Sequence, residues 1–115
     1  MWYILDENYK PIPASIAEYQ TWTEEDPGNK IVKQENIKNV LISTVFLGLD
    51  HAYASKEPIL WETMIFEGKY DQYQKRYKSY EDAVKGHAHA LSLVENSTYN
   101  NFQRLIRKFL NLFKK

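Results

Sequence analysis

Four titratable side chains of the sequence are candidates for a catalytic or metal-binding site. They are Asp50, His51, Glu62 and His87. Asp50 and His51 follow an apolar run directly, and loops that follow strands often carry function. If the flanking apolar runs pair as a hairpin, Glu62 lies on the opposing strand and His87 can face the same sheet. Carboxylates and imidazoles that meet in this way bind divalent metals or transfer protons. A metal-dependent hydrolase is therefore one hypothesis.

The same four side chains also have a purely structural explanation. Asp50 would cap the loop, His51 would be exposed, and His87 would be a hydrogen-bonded core imidazole, since buried polar groups are normally satisfied. The spacing matches no metal-binding motif. His87 and His89 do not form a pair either, because helical residues two positions apart point in different directions. We therefore expect no metal and no cofactor.

A second candidate site is the tyrosine-rich connection from Gly68 to Lys78, which contains one arginine and is expected to form a helical turn or an irregular loop. If this segment is helical, Tyr70, Tyr73 and Tyr77 share a face. Aromatic rings and an arginine can stack a base and pair with a phosphate. The predicted ligand-binding residues are Tyr73, Arg76, Tyr77 and His51. The alternative is that the tyrosines pack over a sheet edge and Arg76 pairs with an acid.

The charges of the 115-residue chain are unevenly distributed, although the formal net charge is zero. All 15 acidic residues and ten of the 15 basic residues lie within residues 1–95, which therefore carry −5, whereas residues 96–115 carry +5. An acidic body argues against nucleic-acid binding by the body as a whole and leaves the question open for residues 96–115. The chain has no cysteine, which excludes disulfides, thiol nucleophiles and Cys-ligated zinc. No apolar run approaches the roughly 18 residues of a membrane span, and the first residues do not resemble a signal peptide.

The two apolar runs that flank the Asp50 loop are typical of β-strands. Val40–Leu49 and Ile59–Phe66 are rich in β-branched and aromatic residues and are bounded by Gly, Asp or Pro. They predict a long antiparallel hairpin, over about 39–67, at the centre of one sheet. Both faces of the first run are apolar, so we expect it to be covered on both sides, or on one side by a subunit partner. Residues 30–37 are expected to form an edge strand.

Two capping signals mark helices on either side of this hairpin. Ser15 and Glu18 fit a capping box before a helix over about 16–25. Ser79 and Asp82 fit a similar signal before a helix over about 80–95. A polar run from Asn96 then interrupts the helical pattern.

The last segment has its own amphipathic pattern. Apolar residues at helical spacing, flanked by arginine and lysine, predict a C-terminal amphipathic helix over about 101–115. We therefore predict an α+β fold, with residues 1–96 as the folded domain and residues 97–115 as a helix for docking or oligomerisation. The stripe could dock on its own domain, pair with a partner helix or lie on a membrane surface; docking or oligomerisation is expected, because an exposed stripe of that size would aggregate. A homo-oligomer is expected because both faces of the Val40–Leu49 strand are apolar.

Three motifs together resemble a family of small uncharacterised proteins that bacteriophages and prophages encode. They are Ser43-Thr-Val-Phe-Leu-Gly-Leu-Asp-His51, Trp61-Glu-Thr-Met-Ile-Phe66, and Tyr73-Gln-Lys-Arg-Tyr77 followed by Glu81-Asp-Ala-Val-Lys-Gly-His87. The resemblance covers about Tyr3 to Leu91. The matching residues that stand out are Asp50, His51, Glu62, Thr63, Met64, Gly86 and His87. The family has no established activity, so the resemblance implies a phage setting, in the cytoplasm of the bacterial host, and no particular chemistry.

The leading functional hypothesis is a non-enzymatic phage accessory protein with an anti-defence or host-modulating role. It would bind a host protein or a small anionic molecule such as a signalling nucleotide. A small domain without a catalytic motif favours binding over turnover. The alternatives are the metal-dependent hydrolase and a structural or assembly component of the virion. Nucleic-acid and membrane binding are not expected.

Overall fold

A four-stranded antiparallel sheet, with the predicted hairpin at its centre, is the main feature of the computed structural model. The model describes residues 1–50 and 57–112, and the side chains of residues 98–102 are not described. The predicted α+β fold is confirmed. The elements are β1 (Trp2–Leu5), β2 (Pro11–Ala14), α1 (Ile16–Glu25), a 3-10 turn (Pro27–Lys30), β3 (Ile31–Ile37), β4 (Val40–Phe46), β5 (Trp61–Phe66), β6 (Gln74–Tyr77) and α2 (Tyr80–Asn111).

The strand order of the large sheet is β3-β4-β5-β6, and every neighbouring pair is antiparallel. The central pair has Thr44 opposite Thr63 and Val45 opposite Glu62. Because successive side chains of a strand alternate between faces, Thr44 and Thr63 share one face and Glu62 lies on the other. The predicted edge strand over 30–37 is confirmed as β3, at one end of this order.

Helix α2 covers one face of the large sheet with a regularly spaced buried stripe. Ala83, His87, Ala90 and Val94 recur at intervals of three and four residues and are buried. One core cluster lies under the first turns, around Phe46 and Trp61, and a second lies further along α2. The second contains Ile42, Ile65, Ala90 and Val94.

The N-terminal segment forms a second, two-stranded sheet of β1 and β2, and α1 packs beside it. The predicted capping box of α1 is confirmed: the Glu18 N–H donates to Ser15 Oγ, and the Ser15 N–H donates to Glu18 Oε1. Trp22 of α1 meets Phe46 edge-on, with ring centroids 5.7 Å apart. This contact joins the small sheet and α1 to the core of the large sheet.

Two sequence-based predictions of local structure were wrong. The tyrosine-rich connection from Gly68 to Lys78, expected to be a helical turn or an irregular loop, contains strand β6. Positive φ angles at Glu67, Gly68 and Gln72 turn the chain back so that β6 pairs with β5. The expected interruption over 96–101 is absent, since α2 runs without a break from Tyr80 to Asn111.

The second half of α2 projects beyond the sheet. Val94 is the last buried residue in the described part of the helix. The radius of gyration is 18.8 Å, against about 13 Å for a compact chain of this length. In the described part of the chain, no helix has the length and apolar character that a membrane crossing requires.

Candidate functional site

A line of buried polar side chains crosses the large sheet underneath α2. Tyr77 Oη lies 3.1 Å from Thr63 Oγ1, and Thr63 Oγ1 lies 2.6 Å from Thr44 Oγ1. Thr44 Oγ1 lies 2.7 Å from His87 Nδ1, and His87 Nε2 lies 2.9 Å from Glu35 Oε1. We call these five residues the polar chain. It joins β6, β5, β4, α2 and β3, so it fixes the helix over the sheet.

The donors of the polar chain have one consistent direction when His87 is neutral. An ionised Glu35 can only accept, so His87 Nε2–H donates to it and Nδ1 accepts from the Thr44 hydroxyl. Thr44 in turn accepts from Thr63, and Thr63 accepts from the Tyr77 hydroxyl. Every hydroxyl then has a partner. Buried groups are therefore satisfied here as they normally are.

The pKa values of Glu35 and Tyr77, the two end residues of the polar chain, are shifted. The hydrogen bond from His87 lowers the pKa of Glu35 below its usual 4.5, with a smaller contribution from Lys33, whose ammonium lies 3.4 Å away. Burial raises the pKa of Tyr77, although its bond to Thr63 acts in the opposite direction. The polar chain thus ends in the Glu35 carboxylate, which stays ionised, and in the Tyr77 phenol, which stays protonated.

The Thr44–His87–Glu35 order resembles a nucleophile, a base and an orienting acid. Thr44, however, is completely buried, and its hydroxyl also bonds to Thr63. A pocket of about 240 Å³ between β3 and α2 is lined by Glu35 and His87, but not by Thr44. Because a substrate in this pocket does not reach the hydroxyl, the geometry suits a structural hydrogen-bond network rather than a covalent mechanism.

The predicted catalytic set does not form one site in the described part of the chain. Asp50 accepts a hydrogen bond from the Ile59 N–H at 3.0 Å, which is the loop-capping role. Glu62 lies on the sheet face away from His87, where its Oε2 accepts from Gln74 Nε2 at 2.6 Å and Arg76 Nε at 2.9 Å. His51 lies outside the described residues. Within residues 1–50 and 57–112, no cluster of three His, Asp or Glu side chains is placed to hold a metal ion.

The predicted ligand-binding residues lie on two sides of β6. Tyr73 packs on the second core cluster, and Tyr77 is buried against α2. Arg76 alternates to the opposite face and pairs with Glu62. The three residues are therefore neighbours in the chain, but they do not share a face, and their role in binding a ligand stays a prediction.

A groove between β6 and the first turns of α2 concentrates positive charge. We call it the basic groove; its volume is about 500 Å³. Its lining residues are Lys75, Arg76, Tyr77, Lys78, Asp82, Lys85, Gly86 and His89. Because the Arg76 side chain pairs with Glu62 on the opposite face, the charges that reach the groove are those of Lys75, Lys78, Lys85 and Asp82, a formal +2 with His89 neutral, in a body of residues 1–95 that carries −5.

The cations of the basic groove come from two elements. Lys75 alternates with Arg76 along β6 and lies on the α2 side of the sheet. Asp82, Lys85 and His89 recur at intervals of three and four residues, which places them along one side of α2. Within the described part of the chain, neither Lys75 nor Lys85 has a carboxylate within ion-pair distance. Both ammonium groups can therefore turn towards a ligand.

Gly86 allows Tyr77, which lines the basic groove, to pack closely against α2. A Cβ at this position would overlap the hydroxyl and ring of Tyr77. The absence of a side chain lets Tyr77 lie against the helix backbone while its hydroxyl reaches Thr63. One tyrosine thus belongs both to the wall of the basic groove and to the end of the polar chain.

Comparisons with known proteins identified no relative of this chain. No family model matches the chain, and no curated protein or solved structure matches it either.

Sequence reasoning identified Arg76 and Tyr77 of the groove but missed Lys75, Lys85 and the partner of His87. Glu35 is 52 positions from His87 in the chain, and no local pattern links the two. Lys75 and Lys85 meet because β6 and α2 pack side by side. A signal that could have indicated the groove is the density of basic residues over 75–85, in a body that is otherwise acidic.

Proposed function

We propose that the protein is a non-enzymatic binding protein that holds a small phosphate-bearing molecule in the basic groove. The observation that carries this proposal is that Lys75 of β6 and Lys85 of α2 line one groove, with Lys78 and His89 beside them. Lysine ammonium groups act as mobile point charges for phosphate, and a local +2 attracts anions to a body that otherwise repels them.

The size and polarity of the groove narrow the ligand class. A volume of about 500 Å³ falls within the range of small-molecule sites. Tyr77 is buried, so it offers little of its ring for stacking. Phosphate recognition rather than base recognition would then supply most of the affinity. A ligand with two or more phosphates fits the separate positions of Lys75 and Lys85 better than a monoanion.

The resemblance to phage proteins extends the proposal to a biological setting. A phage accessory protein in the host cytoplasm could sequester a signalling nucleotide and so act against host defence. The concentration of charge favours this small anionic ligand over a host protein, because a protein interface centre is usually depleted of lysine. Of the predicted ligand-binding residues, Tyr77 lines the groove, whereas contacts from Tyr73, Arg76 and His51 stay a prediction.

Calorimetric titration of the full chain with pyrophosphate and with cyclic dinucleotides tests this function. Lys75→Gln and Lys85→Gln remove one charge each and are expected to weaken binding about tenfold, since a charge-assisted hydrogen bond is worth about 1.5 kcal/mol or more. Affinity should also fall as salt is raised, because screening weakens exposed charge interactions.

The matched control is Lys10→Gln, at an exposed lysine of the N-terminal hairpin that does not line the groove. It should bind like the unmodified protein. No heat of binding with any of these anions, or an equal loss in the control, would show that the groove is not an anion site.

A further inference from the structure

The projecting half of α2 presents a stripe of large apolar side chains that are exposed in the described part of the chain. We call residues 103–112 the tail. Its large exposed side chains include Leu105, which is 65% exposed, and Leu112, which is 73% exposed; the others are Ile106, Phe109 and Leu110. An isolated helix of this length is marginal in water. The stripe therefore needs a surface against which it can pack.

The large sheet has a face that offers such a surface. Helix α2 covers the face of Thr44 and Thr63, and by alternation Val45 and Met64 lie on the other face. Leu41 and Phe66 are paired across β4 and β5 on that same side, and Phe66 is exposed. In the described part of the chain, the packing of helices on the large sheet is dominated by α2. We call this face, on which Leu41, Val45, Met64 and Phe66 lie beside the paired Glu62 and Arg76, the open face.

The tail does not reach the open face of its own chain. It continues α2 without a break, and α2 lies on the opposite side of the sheet. A return to the open face would require the helix to break and pass around the sheet edge. The tail of a second molecule can reach the open face without such a break in the helix.

The charge distribution distinguishes between two modes of dimerisation, tail against tail and tail against body. Residues 96–115 carry +5 and contain no acid, whereas residues 1–95 carry −5. Two tails side by side would bring +3 against +3, since residues 103–112 contain Arg104, Arg107 and Lys108 and no acid. A tail on the body of another copy brings +3 against a body that carries −5, which favours association.

We propose that the protein forms a two-fold dimer in which each tail packs on the open face of the other copy. The apolar stripe covers Leu41, Val45, Met64 and Phe66, and the basic side chains of the tail meet the acidic body. A two-fold arrangement makes the contact twice, which is the usual form of a small homo-oligomer. The basic groove is not part of this contact, so the inference does not depend on the proposed function.

Sedimentation equilibrium of the full chain tests the dimer. The expected mass is twice 13.7 kDa. Leu105→Ser together with Leu112→Ser should shift the protein to a single-chain mass at the same concentration. Val84→Ser is the matched control, since Val84 is also an exposed apolar residue of α2 but lies outside the tail; it should leave the dimer intact. A single-chain mass for the unmodified protein, or a mass above two chains, contradicts the proposal.

Neutralising the tail distinguishes tail–body from tail–tail pairing. Arg107→Gln together with Lys108→Gln should raise the dimer dissociation constant about tenfold if the tail docks on the acidic body. The same change should strengthen a dimer of two basic tails, because it removes repulsion. Tighter association of this variant would therefore overturn the proposal.

Disulfide trapping locates the contact in a chain that has no native cysteine. A Leu105→Cys copy mixed with a Met64→Cys copy should form a mixed disulfide under mild oxidation. Leu105→Cys alone should stay largely uncrosslinked. Efficient self-crosslinking of Leu105→Cys, without the mixed product, would contradict docking on the open face.

Discussion

At the scale of single residues, His87 is the centre of the buried polar structure. Both of its ring nitrogens are bonded, one to the Thr44 hydroxyl and one to the Glu35 carboxylate. The ring is 2% exposed, so it acts inside the fold rather than at an open site. The expectation of a hydrogen-bonded core imidazole describes this environment, whereas the identity of Glu35 as partner required the packing of β3 beside α2.

Thr63→Val tests whether the polar chain stabilises the fold. Valine fills nearly the same volume but has no hydroxyl. The Tyr77 hydroxyl then loses its acceptor, and Thr44 loses the hydroxyl that donates to it. We expect a loss of about 1–3 kcal/mol in the free energy of unfolding, measured in urea. Thr21→Val, at an exposed position of α1, is the control and should change stability by less than about 0.5 kcal/mol. Equal effects of the two substitutions would show that the polar chain is not a stabilising network.

Glu35→Gln tests the electrostatic end of the polar chain. Because the pKa of Glu35 is lowered in the folded protein, this carboxyl contributes stability above its usual value of 4.5 and loses that contribution as pH falls through the folded pKa. Glutamine keeps an acceptor for His87 Nε2–H but has no charge. The variant should therefore be less stable than the unmodified protein at pH 7, and the difference should shrink by pH 3. A difference that is the same at both pH values, in urea unfolding curves, would contradict this assignment.

At the scale of elements, regular periodicity predicted most of the fold. The alternating apolar runs indicated β4 and β5, and Ser15 and Ser79 marked the starts of both helices. The tyrosine spacing over 70–77 suggested a helix, but pairing with β5 overrides that pattern, because Glu62 to Met64 offers a ladder for β6. The polar run from Asn96 suggested an interruption. Asn and Ser cost only about 0.5 kcal/mol each in a helix, so a few of them do not end one.

Gly86→Ala tests how closely α2 packs on β6. Alanine improves helix propensity by about 1 kcal/mol, but its Cβ would overlap Tyr77. Tyr77 must then move and lose its bond to Thr63, so we expect a net destabilisation of about 1–3 kcal/mol. Ser92→Ala, on an exposed position of the same helix, is the control and should be neutral or slightly stabilising. Thermal unfolding in which both variants gain stability would show that the contact is not close.

At the scale of the whole molecule, charge is separated into an acidic body, a basic tail and a basic groove within the body. The acidic body and the basic tail follow from residue order alone, because all acidic residues precede Asn96. The groove could not be predicted in this way. Its cations belong to β6 and α2, and only the packing of these elements brings Lys75 near Lys85. The residues that carry the proposed function are thus the ones with the weakest local sequence signal.

An amide chemical-shift titration of the full chain with pyrophosphate is the most direct test of the proposed anion site, because it reports where the ligand binds. The account predicts saturable shifts concentrated at residues 74–78 and 82–89, the two segments that form the basic groove. These shifts should be lost in the Lys75→Gln, Lys85→Gln double variant. Shifts absent from these segments, or concentrated around the pocket of Glu35 and His87 instead, would contradict the account.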